Sequence, residues 1–505
     1  MPAISTLSEL LAAGAADRPA IRAPERPPLS YAGLRALAER TLASLNGMGI
    51  GRGDRVAIVL PNGPEMAAAF VAIAGAATTA PLNPAYKDEE FEFYLTDLKA
   101  KALVVQQGME TPARAVAARL SVPVLELVPG EAAGEFALAG GSAATAARPG
   151  SAGADDVALV LHTSGTTARP KIVPLTHTNV TASAGNIART LELTPADACL
   201  NVMPLFHIHG LIAATLSSLA AGASVICTPG FNALRFFSWL DAERPSWYTA
   251  VPTMHQAILQ RAERNREIIA RAPLRFLRSS SASLPAQAMR DLATAFNAPV
   301  IEAYGMTEAS HQMCSNPLPP RAQKPGLVGL AAGPEVAIMA DDGAILPQGE
   351  IGEVVIRGPN VTKGYEANPE ANAKAFTNGW FRTGDQGMLD EDGYLMLTGR
   401  LKELIKRGGE QVSPLEVDGI LSEHPAVAQA LTFSIPHPML GEEVGAAVVL
   451  REGMEVSERE LRDFAAKHLA DFKVPRKVVF LPEIPKGATG KLMRIGLAEK
   501  LGVTA

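Results

Sequence analysis

Along the first half of the chain, short apolar runs alternate with longer segments whose apolar positions recur at helical spacing. Ser30 to Leu45 reads as a helix that Ser30 can cap and that Gly47 and Gly49 end. Arg55 to Leu60 reads as a buried strand closed by Pro61-Asn62-Gly63, and Glu65 to Ala76 as a small-residue helix. Ala102 to Val105 and Val157 to Leu161 are further strands, and Asn179 to Leu191 is a helix. Such alternation predicts a parallel sheet covered by helices, hence a large α/β domain. Residues 130–154, rich in Ala, Gly and Ser, read as a surface excursion within it.

Further on, a strand is expected to end at Pro204 before an Ala/Leu-rich helix near Gly210, and strands are expected at Leu274–Arg278 and Ala298–Glu302. The pattern then changes. From about Lys324 to Gly399, short β-rich runs at 336–338, 354–356 and 394–397 are separated by Gly, Pro and Asp turns, which predicts a small β subdomain. A boundary is expected at residue 400, dividing a domain at 1–399 from a small α+β domain at 400–505.

Composition narrows the classes. With 505 residues and 47% hydrophobic content the chain can bury a large core. A formal net charge of −6 argues against a nucleic-acid partner. Three scattered cysteines without CxxC spacing fit a reducing compartment and exclude a zinc site of the usual pattern. The N-terminus lacks a secretory pattern, and no apolar stretch is long enough to span a membrane, so a cytoplasmic protein is expected.

The candidate chemistry begins after the strand at Val157–Leu161. Thr163, Ser164, Thr166 and Thr167 crowd around Gly165, and Arg169, Pro170 and Lys171 follow. Backbone N–H groups and hydroxyls around a Gly make a nest for phosphate oxygens, and the lysine adds charge. This is not the GxxxxGK[ST] loop of ATPases: Pro170 stands where that loop needs Gly, and Ile172 follows Lys171. His207 and His209 lie at a strand-to-helix corner, where α/β sheets bind ligands. The small residues Ser279 to Ser283 let a flat ring approach the backbone. Tyr304-Gly305-Met306-Thr307-Glu308 offers a stacking surface, a hydroxyl and a carboxylate suited to magnesium. Asp385, at a turn, can accept hydrogen bonds from two ribose hydroxyls. Lys491 stands in a Gly/Thr-rich stretch near the C-terminus.

In this order, from residue 163 to residue 491, the motifs resemble the adenylate-forming acyl-CoA synthetases, the AMP-binding enzymes. The resemblance implies a large N-terminal α/β domain with a β subdomain and a mobile C-terminal domain. It implies ligation of a carboxylic acid to coenzyme A through an acyl-adenylate, with ATP and Mg2+. Catalytic roles would fall to Lys171, Thr307, Glu308 and Lys491, with Glu308 holding the metal. The nucleotide would lie against Thr163 to Thr167, Ser280, Ser281, Ala282, Glu302, Ala303, Tyr304, Gly305, Thr307, Asp385 and Arg400. The family usually carries Gly where Ser280 stands and often Thr where Gly487 stands. His207, Ser281 and His311 would line the acyl pocket, His311 facing His207. Lys402 would be the hinge, and Arg407, Gly408 and Gly409 would form a loop on the CoA side. The stretches EASHQM and GRLKELIKRGGEQVSPLEVDGIL look most like oxalate-activating CoA ligases, so a small dicarboxylate is the expected acid. Medium-chain and aryl CoA ligases are the nearest alternatives. An adenylation enzyme loading a carrier protein, or a nucleotide-binding protein without catalysis, would come from other classes; intact Glu308 and Lys491 count against the last.

Overall fold

The computed structural model describes residues 4–163, 170–485 and 492–503. Ser164, Gly165, Thr166, Thr167, Arg169 and Lys491 lie outside the described residues.

Two large sheets carry the N-terminal part. A seven-stranded sheet has Arg55–Val59, Thr78–Pro81 and Ala102–Gln106 at its centre, with the antiparallel pair Val157–Thr163 and Lys171–Thr176 at one side. A nine-stranded sheet places Ala198–Asn201, Trp247–Ala250, Phe276–Ser280 and Val300–Met306 side by side and parallel. The alternation read from the sequence is therefore present. Helix Tyr31–Gly47 takes Ser30 as its cap, the Ser30 hydroxyl accepting from the Gly33 N–H. The excursion at 130–154 contributes one edge strand, Phe136–Ala139, antiparallel to Val124–Pro129. Helix Pro64–Ala74 is buried on nearly all sides, so its small residues let two layers close on it.

Three expectations shift. The strand expected to end at Pro204 ends at Asn201, whose side-chain carbonyl accepts from the Met203 N–H and turns the chain. The following helix, His209–Leu216, is a π-helix. The strand expected at 298–302 runs on to Met306, so Tyr304 and Gly305 belong to a strand, and the chain returns antiparallel as His311–Ser315.

A five-stranded antiparallel sheet occupies 335–400, matching the expected β subdomain. A separate sheet begins at Ile405–Arg407 and includes the long hairpin Val427–His437 with Gly441–Leu450. The change of sheet falls in the turn between Arg400 and Ile405, where Lys402 is exposed.

Candidate active site

The parallel strands of the nine-stranded sheet end side by side, and their carboxyl ends carry the site, the usual ligand position in open α/β sheets. Ser280 ends one strand and donates its hydroxyl proton to the Ala303 carbonyl on the next. Ser281 follows with φ +73°, which turns it out of the sheet plane. Ser281, Ala282 and Ser283 are exposed.

Glu302 is buried on the neighbouring strand, with one carboxylate oxygen accepting from the Leu284 N–H at 2.9 Å and the other unpartnered among the described residues. Burial pushes its pKa up to about 7. Tyr304 donates its hydroxyl to Asp385, which also pairs with the Arg400 guanidinium at 3.2 Å. The ribose and adenine candidates of two sheets are thereby joined.

Glu308 follows Thr307 in a 3-10 turn and is buried. Its Oε1 accepts from the Tyr365 hydroxyl at 2.8 Å. The Tyr365 ring lies under the Lys171 ammonium, 4.3 Å from its centroid. Tyr365 itself is fixed by paired bonds with Asn372, its N–H donating at 2.7 Å and its carbonyl accepting at 2.8 Å. Thr163 Oγ1 accepts from the Lys171 N–H at 3.4 Å. So the described part of the phosphate loop, the metal candidate and the lysine meet around Tyr365, a residue the sequence reading did not select. Among the described residues no three His, Cys, Asp or Glu side chains converge on one point. A single carboxylate such as Glu308 fits the needs of Mg2+, which takes most of its shell from phosphate and water oxygens.

Of the residues expected on the acyl side, His311 is buried at φ +103°. Its Nδ1 has no partner among the described residues and lies next to Gly305, 3.2 Å from where a Cβ there would be. The ring against His311 is that of His209, at 5.1 Å, and not that of His207. His207 is half-buried, with its ring against Phe206 at 4.5 Å. His209 bridges Ser281 Oγ at 3.0 Å and Thr249 Oγ1 at 2.6 Å. Beneath them Arg278 is fully buried, donating to Thr249 Oγ1 at 3.4 Å and to Gln312 Oε1 at 3.2 Å. Burial holds His209 and His311 well below the ordinary imidazole range, so both are neutral at neutral pH. His209, Thr249, Arg278 and Gln312 were not singled out as substrate residues from sequence; a charged residue inside the apolar run at 274–278 was the available signal.

Residues 9–366 match the model of the AMP-binding enzymes, and residues 416–491 match the model of their C-terminal domain. The chain belongs to the AMP-binding enzyme family. It is 48% identical to a probable CoA ligase, CCL9, from Humulus lupulus, covering 98% of this chain and 96% of that protein. It is 46% identical to the oxalate–CoA ligase of Arabidopsis thaliana, covering 97% of each. The crystal structure of ATP-bound MatB from Rhodopseudomonas palustris superposes with a TM-score of 0.89 at 32% identity, over 98% of both chains. In this AMP-binding enzyme the two matches leave residues 367–415 between them.

Proposed function

We propose that this carboxylate–CoA ligase activates oxalate, by way of an oxalyl-adenylate. The observation that carries the acid's identity is the buried, neutral imidazole of His311, whose Nδ1 is unpartnered next to Gly305. A hydrocarbon tail would leave that buried group unsatisfied, at about 1–3 kcal/mol, and would offer no acceptor to the exposed Ser281 hydroxyl. A second carboxylate accepts hydrogen bonds from both. The similarity to the oxalate–CoA ligase of Arabidopsis thaliana supports the same choice.

A carboxylate is a poor acyl donor because its oxygen is a poor leaving group. Attack of that oxygen on the α-phosphorus of ATP releases pyrophosphate and converts it into a phosphate leaving group. The CoA thiolate then attacks the carbonyl carbon and AMP departs. In this reading Lys171 and Lys491 bring positive charge to the phosphoryl oxygens, and Tyr365 holds Lys171 and Glu308 in one arrangement. Mg2+, bound at Glu308, would neutralise charge on the phosphate oxygens. Tyr304 and the turn 280–282 would cover adenine, and Asp385 the ribose. Lys402 would be the hinge between half-reactions, and Arg407, Gly408 and Gly409 would face CoA. A cytoplasmic setting, which supplies ATP and CoA, fits the three buried free cysteines. Among the described residues no helix is long and apolar enough to cross a membrane.

The test is product analysis. Purified enzyme with ATP, CoA and oxalate should yield oxalyl-CoA, AMP and pyrophosphate in equal amounts. Without CoA, oxalate should still drive exchange of labelled pyrophosphate into ATP. ADP and phosphate as products, or no oxalate-dependent exchange, would contradict the reading.

A further inference from the structure

Arg278 is a fully buried arginine. It stands on a strand flanked by two parallel neighbours, and its Nε has no partner among the described residues. Among the described residues no carboxylate pairs with it; its partners are the neutral side chains of Thr249 and Gln312. A buried charge without a counter-charge is expensive to keep. Burial pulls its pKa down to about 10, which leaves it cationic at neutral pH.

The hydrogen-bond roles around it follow from what each group can give. Arginine only donates, so Thr249 Oγ1 accepts from Arg278. The Thr249 hydroxyl proton then turns to its other partner, His209 Nε2, at 2.6 Å. Among the described residues that proton has no other acceptor, so His209 Nε2 is the unprotonated nitrogen, and neutral His209 carries its proton on Nδ1 and donates it to Ser281 Oγ at 3.0 Å. Ser281, with an acceptor site filled from behind, has its own proton free to donate outward from the exposed turn.

We propose that Arg278 is a positioning residue for the acid: through Thr249 and His209 it sets Ser281 as an outward donor, and its uncompensated charge makes this wall of the pocket receptive to a second carboxylate. This role rests on the reading of the substrate as a dicarboxylate. The relay ends in one donor and one buried cation, which is what a distal anion requires and an apolar tail does not.

Three variants test it: Arg278→Gln, Arg278→Lys and Thr249→Val. Each is measured for kcat and KM with oxalate, for KM with ATP, and for unfolding temperature. Arg278→Gln should lose about 10- to 100-fold in kcat/KM for oxalate, the loss of one hydrogen bond to a charged group, and chiefly in KM. Its KM for ATP should stay within about twofold, since the relay ends on the acid and not on the nucleotide. Arg278→Lys should recover part of the loss by restoring the charge. Thr249→Val cuts the relay at nearly constant volume, and should show the same oxalate-selective loss even if Arg278→Gln folds poorly. Unchanged oxalate kinetics in Thr249→Val and Arg278→Gln would overturn the role while leaving the oxalate reading intact. Equal worsening of both KM values in Thr249→Val would overturn it too, as a merely structural effect. If the unsubstituted enzyme ignores oxalate and other dicarboxylates, the substrate reading and the role fall together.

Discussion

Glu302 and Glu308 share one stretch of chain, and their surroundings ask different things of them. Glu302 has one oxygen without a partner among the described residues, and burial raises its folded pKa to about 7 from the ordinary 4.5. Between those values the unfolded chain is ionised while the folded one holds the proton, so folding takes up a proton. The contribution is therefore fully present below about pH 4.5, falls as pH rises through that window, and is lost above about 7. It amounts to about 3 kcal/mol in order of magnitude. Glu302→Gln should flatten the decline of unfolding temperature between pH 5 and about 7.5, measured by calorimetry; an unchanged slope would mean Glu302 is ionised in the fold throughout. Glu308 instead accepts from Tyr365, which also lies under Lys171. Tyr365→Phe keeps the ring beneath the lysine and removes only the hydroxyl. Adenylation kcat should drop about tenfold, the scale of a single bond to a charged acceptor, with stability nearly unchanged. Stopped-flow pyrophosphate release measures it, and a wild-type rate would remove Tyr365 from the positioning of Glu308.

At the scale of elements, the turn between the strands Val300–Met306 and His311–Ser315 places His311, the residue proposed to meet the acid. Ser310 and His311 both have positive φ, at +50° and +103°, which sends the chain back antiparallel to its own preceding strand. Gly305 permits the return: a Cβ there would lie 1.9 Å from the His311 carbonyl oxygen. Gly305→Ala should therefore destabilise by about 2–3 kcal/mol, read from the urea midpoint, because backbone and not a flexible side chain is in the way. A midpoint within error of wild type would show that the two strands can part freely. The same turn marks where sequence reading reached its limit. Strands such as Arg55–Val59 and Ala102–Gln106 follow from apolar runs and Gly/Pro punctuation alone. The return of the chain after Glu308 does not, since neither Ser nor His announces a positive φ. Nor could spacing along the chain select which histidine meets His311: His207 and His209 stand at one corner, and only the π-helix beginning at His209 brings that ring inward. Arg278 looked like part of an apolar strand, and its lack of a counter-charge appears only when the neighbouring strands are in place.

Across the whole molecule, the β subdomain ends at Arg400 and the C-terminal sheet begins at Ile405, and the proposed hinge residue Lys402 lies in the short turn between them. Among the described residues the Lys402 N–H makes no backbone hydrogen bond, so proline removes none in this arrangement. Lys402→Pro should fix φ there, spare adenylate formation and cut CoA transfer by at least about tenfold. Equal rates in both half-reactions would place the hinge elsewhere. The order of the motifs made the two-domain plan legible, because the family's parts recur over nearly the whole chain. The acid was less legible, since it depends on contacts between strands far apart in sequence. Competition between acids shows whether the proposed site takes a second carboxylate. Purified enzyme should be offered oxalate, hexanoate and cinnamate together with ATP and CoA, and each thioester quantified by mass spectrometry. Oxalyl-CoA should form in at least about 10-fold excess over either competitor, as expected when one buried polar group, that of His311, is left unpaired by a hydrocarbon. Preferential formation of hexanoyl-CoA or cinnamoyl-CoA would contradict it.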